Sequence, residues 1–312
     1  MARATLWLPV GLPVAHDRAA AMRGEIGGCG SMPRPVLPKG VLASRSADLA
    51  SRWHGACTAS SVHFSANEFV ASPKLGPKFQ LGAFQLLAES RCASERVGGD
   101  FYAFEQRDAK RLIVVVGDAC GRGSEAAKLL PGVLTRLEDL SHSAIGRPSL
   151  LLEELNRRVI DEMPSDRFVT GAIYEFDAEA GTLTVANAGH VPAILRSARG
   201  NVNVIGEASG PPLGVFGNCK YVDQRYRIRK DDVVVFMTDG IVEVVETDLA
   251  KMPTLRALIA DAPPGSPGVH HFLMANVEDQ ARDRRADDMT LLSLEVLSAG
   301  AATPSIDLER VV

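Results

Sequence analysis

Apolar positions fall into clear patterns only from about residue 77 onward. Leu112–Val116 is an unbroken apolar run that ends in Gly117-Asp118, as a buried strand should. From Gly121 to Leu140, the residues Ala126, Leu130, Val133, Leu137 and Leu140 recur at three- and four-residue spacing. This predicts a helix, with a kink or break at Pro131. A second helix is predicted over Ser149–Met163, where Leu152, Leu155 and Val159 share one face and Pro148 stands near the start. Strands in meander order follow. Val169–Phe176 and Thr182–Ala186 flank the turn Asp177–Gly181, and Ala193–Arg196 and Val202–Ile205 flank Arg199-Gly200-Asn201. Further strands are predicted near Tyr221–Ile228, Val233–Met237 and Met289–Val296, with helices near Thr254–Ile259 and Val269–Arg282. Helices, a run of antiparallel strands, more helices and a closing strand imply an α+β fold with helices packed on a two-sheet core.

The residues before this pattern read differently. Gly24, Gly27, Gly28 and Gly30 precede Pro33, Pro35 and Pro38, and Ser72–Pro77 is again rich in breakers. Residues 1–76 are therefore expected to be a poorly ordered leader with one possible short helix at Val41–Trp53. Residues 77–298 form the expected folded domain, and 299–312 a flexible tail.

Of the 312 residues, 46% are hydrophobic and 23% charged, with 34 Lys+Arg against 38 Asp+Glu. That balance fits a globular, mildly acidic chain and excludes a mainly disordered one. A net charge of -4 gives no reason to expect a nucleic-acid partner. The five cysteines are scattered without a C-x-x-C pair, which argues against a disulfide framework or zinc ribbon and for reduced thiols. The longest apolar runs are about a quarter of a bilayer crossing, and Thr5–Ala15 is broken by Pro9 and Pro13. No membrane association is expected, and the expected location is the cytoplasm.

The chemistry lies in where the aspartates fall. Asp100 follows Gly98-Gly99, Asp118 ends the run Leu112–Gly117, Asp239 ends Val233–Met237 and precedes Gly240, and Asp287-Asp288 opens the last strand. Each alone reads equally as turn punctuation. Brought to one end of a sheet core, they would repel one another unless cations stood between them. An all-oxygen set without Cys or His favours Mg²⁺ or Mn²⁺ over zinc, and two such ions can drive displacement at phosphorus.

Ordered blocks then carry a resemblance. Val97-Gly98-Gly99-Asp100-Phe101-Tyr102, Val116-Gly117-Asp118-Ala119-Cys120-Gly121-Arg122-Gly123 with Ala126-Ala127, Phe168-Val169-Thr170, Asn187-Ala188-Gly189-His190, Pro212-Leu213-Gly214, Thr238-Asp239-Gly240 and Asp287-Asp288-Met289-Thr290 resemble the SpoIIE-type branch of metal-dependent (PPM) protein phosphatases. The likeness runs from about Leu86 to Val296. It implies an αββα sandwich, two antiparallel β-sheets flanked by helices, with a two-metal cleft at one end. It implies that Asp118 bridges both ions, that Asp100 and the Ala119 carbonyl serve one, and that Asp239 and Asp287 serve the other, with Asp288 adjacent. The implied activity is hydrolysis of protein phosphoserine or phosphothreonine by metal-bound water without a phosphoenzyme. The implied substrate is a phosphorylated anti-sigma-factor antagonist in a bacterial partner-switching pathway. Relatives are often homodimers controlled through N-terminal helices, a role for which Phe79–Glu95 is the candidate.

The sequence departs from the family at Ala103, at Cys120 and at Pro131, and over Gly240–Ala286, which lacks the family's Phe-Gly pattern. A non-catalytic binding module and a small-molecule phosphoester hydrolase therefore remain as alternatives. Arg122, between Gly121 and Gly123, is the candidate contact for substrate phosphate, and Arg96 is a second. His190 is expected to shape a turn, His270-His271 to lie on a surface face, and Arg282–Arg285 to be an exposed helix end.

Overall fold

The computed structural model describes residues 62–66, 78–91, 98–121, 126, 128–141, 147–246, 248, 251–281 and 287–299. The elements are β1 (Val62–Ala66), β2 (Lys78–Leu81), β3 (Phe84–Arg91), β4 (Asp100–Gln106), β5 (Arg111–Ala119), α1 (Leu130–Ser141) and α2 (Pro148–Val159). Then come β6 (Val169–Asp177), β7 (Thr182–Ala188), β8 (Ala193–Arg196), β9 (Val202–Ile205), β10 (Gln224–Arg227) and β11 (Val233–Met237). The chain closes with α3 (Asp239–Val245), α4 (Pro253–Asp261), α5 (Gly265–Ala281) and β12 (Met289–Val296).

The strands form two six-stranded sheets, β1-β4-β5-β6-β7-β10 and β2-β3-β12-β11-β8-β9, with every neighbouring pair antiparallel. Alternation along the strands builds the layers. In β5, Leu112, Val114 and Val116 point into the space between the sheets, with Tyr174, Phe176, Phe236, Leu292 and Leu294. Ile113 and Val115 point the other way, onto Leu130, Val133, Leu152 and Leu155 of α1 and α2. On the far side Val233, Val235 and Met237 meet Ile241, Leu255, Ile259, Val269 and Leu273 of α3, α4 and α5. The rings of Tyr174 and Phe236 pack edge-on across the sheets, their centroids 4.7 Å apart. The αββα sandwich expected from the sequence is the observed fold.

Several boundaries differ. β1 pairs with β4, so the first sheet draws a strand from the segment expected to be leader. The possible helix Val41–Trp53 lies outside the described residues. The segment Phe79–Glu95 is not helical where described; it forms the β2–β3 hairpin, because Phe84, Leu86 and Ala88 alternate into the inter-sheet core. Gly82 makes that turn at a φ of +59°, and a Cβ there would overlap the carbonyl of Ala109. The break expected at Pro131 is observed, for Lys128-Leu129 form a turn and α1 starts at Leu130. Pro131 sits in the first turn of α1, where its missing N–H has no intrahelical acceptor to lose. Among the described residues no helix is long and apolar enough to cross a membrane.

Candidate active site

The acidic residues of each sheet are neighbours by strand pairing. Asp100 opens β4 and Asp118 nearly closes β5, and the two stand opposite each other in register. In the second sheet β11 and β12 pair from Met237↔Leu291, and beyond them the Thr238 N–H bonds the Thr290 carbonyl at 3.1 Å. Asp239 follows Thr238 as the first residue of α3, and Asp287-Asp288 leads into β12. Hydrogen bonds join the sheets at this end. The Thr238 hydroxyl donates to Asp100 Oδ2 at 2.7 Å, and the Gly99 N–H donates to Asp288 Oδ2 at 2.9 Å. Four distant stretches of sequence thus bring their carboxylates to one place.

Glycine makes that approach feasible. A Cβ on Gly99 would stand 2.7 Å from both Asp118 Oδ1 and the Ala119 carbonyl oxygen, so those two oxygens lie side by side. A Cβ on Gly240 would overlap the Asp288 carbonyl oxygen.

The charges are unfavourable to one another. Burial holds Asp100 well above the usual carboxylate range, the hydroxyls of Thr238 and Thr290 oppose that, and Asp239 and Asp288 add to it. Burial likewise raises Asp118 well above its ordinary value, and the charges acting on it belong to Asp100, Asp239, Asp287 and Asp288. Asp239 is pushed up to about 6 by burial, then by Asp287 and Glu243. Glu243, one turn along α3, was not singled out from the sequence; its i,i+4 spacing from Asp239 was the available signal. Among the described residues no three His, Cys, Asp or Glu side chains converge tightly enough to hold an ion as they stand. The donor chemistry, oxygen throughout, fits hard divalent ions.

Of the expected phosphate contacts, Gly121 is described and Arg122, Gly123 and Arg96 are not. Gly121 has a φ of +124°, and a Cβ there would lie 2.5 Å from Nη1 of Arg167. Arg167, for which the sequence offered no pattern, donates from Nη1 to the Cys120 carbonyl at 3.3 Å. His190 is a turn residue as expected. Asn187 Oδ1 accepts its N–H at 2.7 Å, and Asn187 Nδ2 donates to the carbonyls of His190 at 2.9 Å and Gly206 at 2.7 Å. Burial pushes its imidazole down to about 4, and Nδ1 lies 3.0 Å from the Thr170 hydroxyl. That hydroxyl reaches the Asp118 carbonyl at 3.3 Å. His270 overturns its expectation. It is fully buried, with Nδ1 3.0 Å from the Ser293 hydroxyl, while His271 is exposed; the angular step between helix neighbours put one ring inside and one out.

Comparison with known proteins gives the family and the fold. Residues 108–297 match the family Stage II sporulation protein E (SpoIIE). The chain is 27% identical over 169 residues to phosphoserine phosphatase RsbU of Bacillus subtilis, covering 54% of this chain and 50% of that protein. It therefore spans about half the length of that curated relative. Among solved structures, the PP2C phosphatase domain of SpoIIE from Bacillus subtilis, with a fragment of its regulatory domain, superposes with a TM-score of 0.57. It is 17% identical, and 68% of this chain and 64% of that one are covered. The catalytic domain of the phosphatase PstP, solved with two manganese ions, gives a TM-score of 0.51 at 15% identity, with 69% and 99% covered. Both structures agree with the observed sandwich.

Proposed function

We propose that this chain, which belongs to the SpoIIE family, is a protein serine/threonine phosphatase that uses two divalent cations, Mn²⁺ or Mg²⁺. The observation that carries the reading is the meeting of Asp100, Asp118, Asp239 and Asp287 where the two sheets are tied together. Asp100 and the Ala119 carbonyl would hold one ion, Asp239 and Asp287 the other, and Asp118 both. When bound, the ions would supply an activated water and neutralise charge on the phosphate.

The chain's own groups set the surroundings. Thr170 ties the backbone of Asp118 to His190, whose ring is neutral and engaged in that brace, so we assign it no proton transfer. Gly121, Arg122 and Gly123 are the residues assigned to substrate phosphate. The assigned substrate is a phosphorylated protein, specifically an anti-sigma-factor antagonist of a partner-switching pathway; the relative named a phosphoserine phosphatase supports the class of bond cleaved. The alternative is a phosphatase-shaped binding module that holds a regulatory partner without turnover, and the test below separates the two.

The test is phosphate release from a serine-phosphorylated protein with Mn²⁺. The wild-type chain should turn over, and Asp118→Asn should lose activity by orders of magnitude while staying folded. A folded wild-type protein inert toward phosphoproteins and aryl phosphates would end the reading.

A further inference from the structure

Asp100 is only 1% exposed, the most deeply enclosed of the proposed carboxylate ligands. We propose that Thr238, Thr290 and Ser90 form a group of hydroxyls that positions the Asp100 carboxylate for the ion it would hold. The proposal rests on the two-cation phosphatase reading above and adds to it three residues from the opposite sheet.

The direction of the Thr238 bond follows from its neighbours. Thr238 Oγ1 accepts the Thr290 N–H at 2.9 Å, and its single proton goes to Asp100 Oδ2 at 2.7 Å. The Thr290 hydroxyl helps hold the Asp100 carboxyl down against burial. It lies 2.6 Å from the Ser90 hydroxyl. The group thus runs from Ser90 on β3 to Thr290 on β12 and on to Thr238 at the end of β11, whose proton goes to Asp100 on β4.

Geometry makes the group a holder rather than a loose cluster. The main chains of Thr238 and Thr290 are bonded to each other, which fixes the spacing of their hydroxyls. Both threonines are 0% exposed, and a β-branched side chain has few rotamers to wander among. Donors so fixed hold one carboxylate oxygen and leave the orientation of the whole group determined, which is how groups behind a ligand set its geometry. Ser90 is the outermost member, on the strand next to the β2 edge of the second sheet.

Calorimetric titration of the full chain with Mn²⁺ tests this. Thr238→Val keeps the shape and removes the proton; it should weaken uptake of Mn²⁺ by about 10–100-fold. Thr238→Ser keeps the donor and should stay within about fivefold of wild type. Ser90→Ala touches no proposed ligand and should weaken uptake by roughly fivefold. Thermal melting without metal separates misfolding from positioning, and Ser90→Ala decides the matter if Thr238→Val does not fold. Wild-type affinity in a folded Thr238→Val protein, or in Ser90→Ala, overturns the proposal and leaves the phosphatase reading standing. Failure of the wild-type chain to take up Mn²⁺ sinks the two-cation reading and this proposal with it.

Discussion

Asp239 shows how a single residue trades stability for function. Its carboxyl is pushed up to about 6 from an ordinary 3.8, chiefly by burial and then by Asp287. Between those values the folded protein binds more protons than the unfolded one, so metal-free stability falls as pH rises through that window and the full penalty is present above it. Asp239→Asn should therefore leave stability unchanged near pH 3.5 and raise it at pH 7.5, on the order of 2–3 kcal/mol without metal. With Mn²⁺ the order should reverse, because the variant loses a ligand. Melting curves at both pH values, with and without Mn²⁺, check the sign; a destabilised metal-free variant at pH 7.5 would contradict it. Gly240 is the complementary case. An added methyl meets the Asp288 carbonyl, so Gly240→Ala should cost about 1–3 kcal/mol in chemical denaturation. At this scale much was legible. The aspartates announced themselves because each ends or begins an apolar strand beside glycine or a second aspartate. Thr238 and Thr290 stand next to those aspartates, but their partner is Asp100 on the other sheet, and only the fold reveals that. Arg167 gave no signal, since a lone arginine in a connection belongs to no periodic pattern; in three dimensions it lies against Gly121.

Elements were legible where one face is buried. β5 and β11 are continuous apolar runs because helices cover one side and the opposite sheet covers the other. The β2–β3 hairpin was missed because its alternation is short, and β1 because it is only five residues long. Connections also carry measurable weight. The turn between β7 and β8 hangs on Asn187, which is 0% exposed and makes three side-chain bonds to main chain. Asn187→Ala leaves buried backbone groups unpaired, so it should cost about 2–4 kcal/mol by urea denaturation, and Mn²⁺ should recover little of that. Pro131→Ala should change stability by less than about 1 kcal/mol, as a proline in a first helical turn forfeits no hydrogen bond. A large gain from that substitution would mean the proline strains α1 after all.

At the scale of the molecule, the sandwich serves to set two sheets against each other so that their strand ends meet. Phe236 lies at the middle of that contact, with Tyr174 and Phe176 across from it. The same packing that stabilises the core fixes the distance between Asp100 and Asp118 on one sheet and Asp239 and Asp287 on the other. A two-sheet core with helices packed on it was readable from the periodicity, and the αββα arrangement from the family resemblance that the ordered motifs carry. The distance between the sheets at their acidic end was not readable, since it depends on the inter-sheet bonds of Thr238 and Gly99. Anomalous diffraction at the manganese edge from crystals grown with Mn²⁺ addresses the central claim most directly. Two peaks should appear at the carboxylate end, one bounded by Asp100, Asp118 and the Ala119 carbonyl and the other by Asp118, Asp239 and Asp287. Manganese bound only elsewhere on the molecule, with this cleft free of density, would contradict the account.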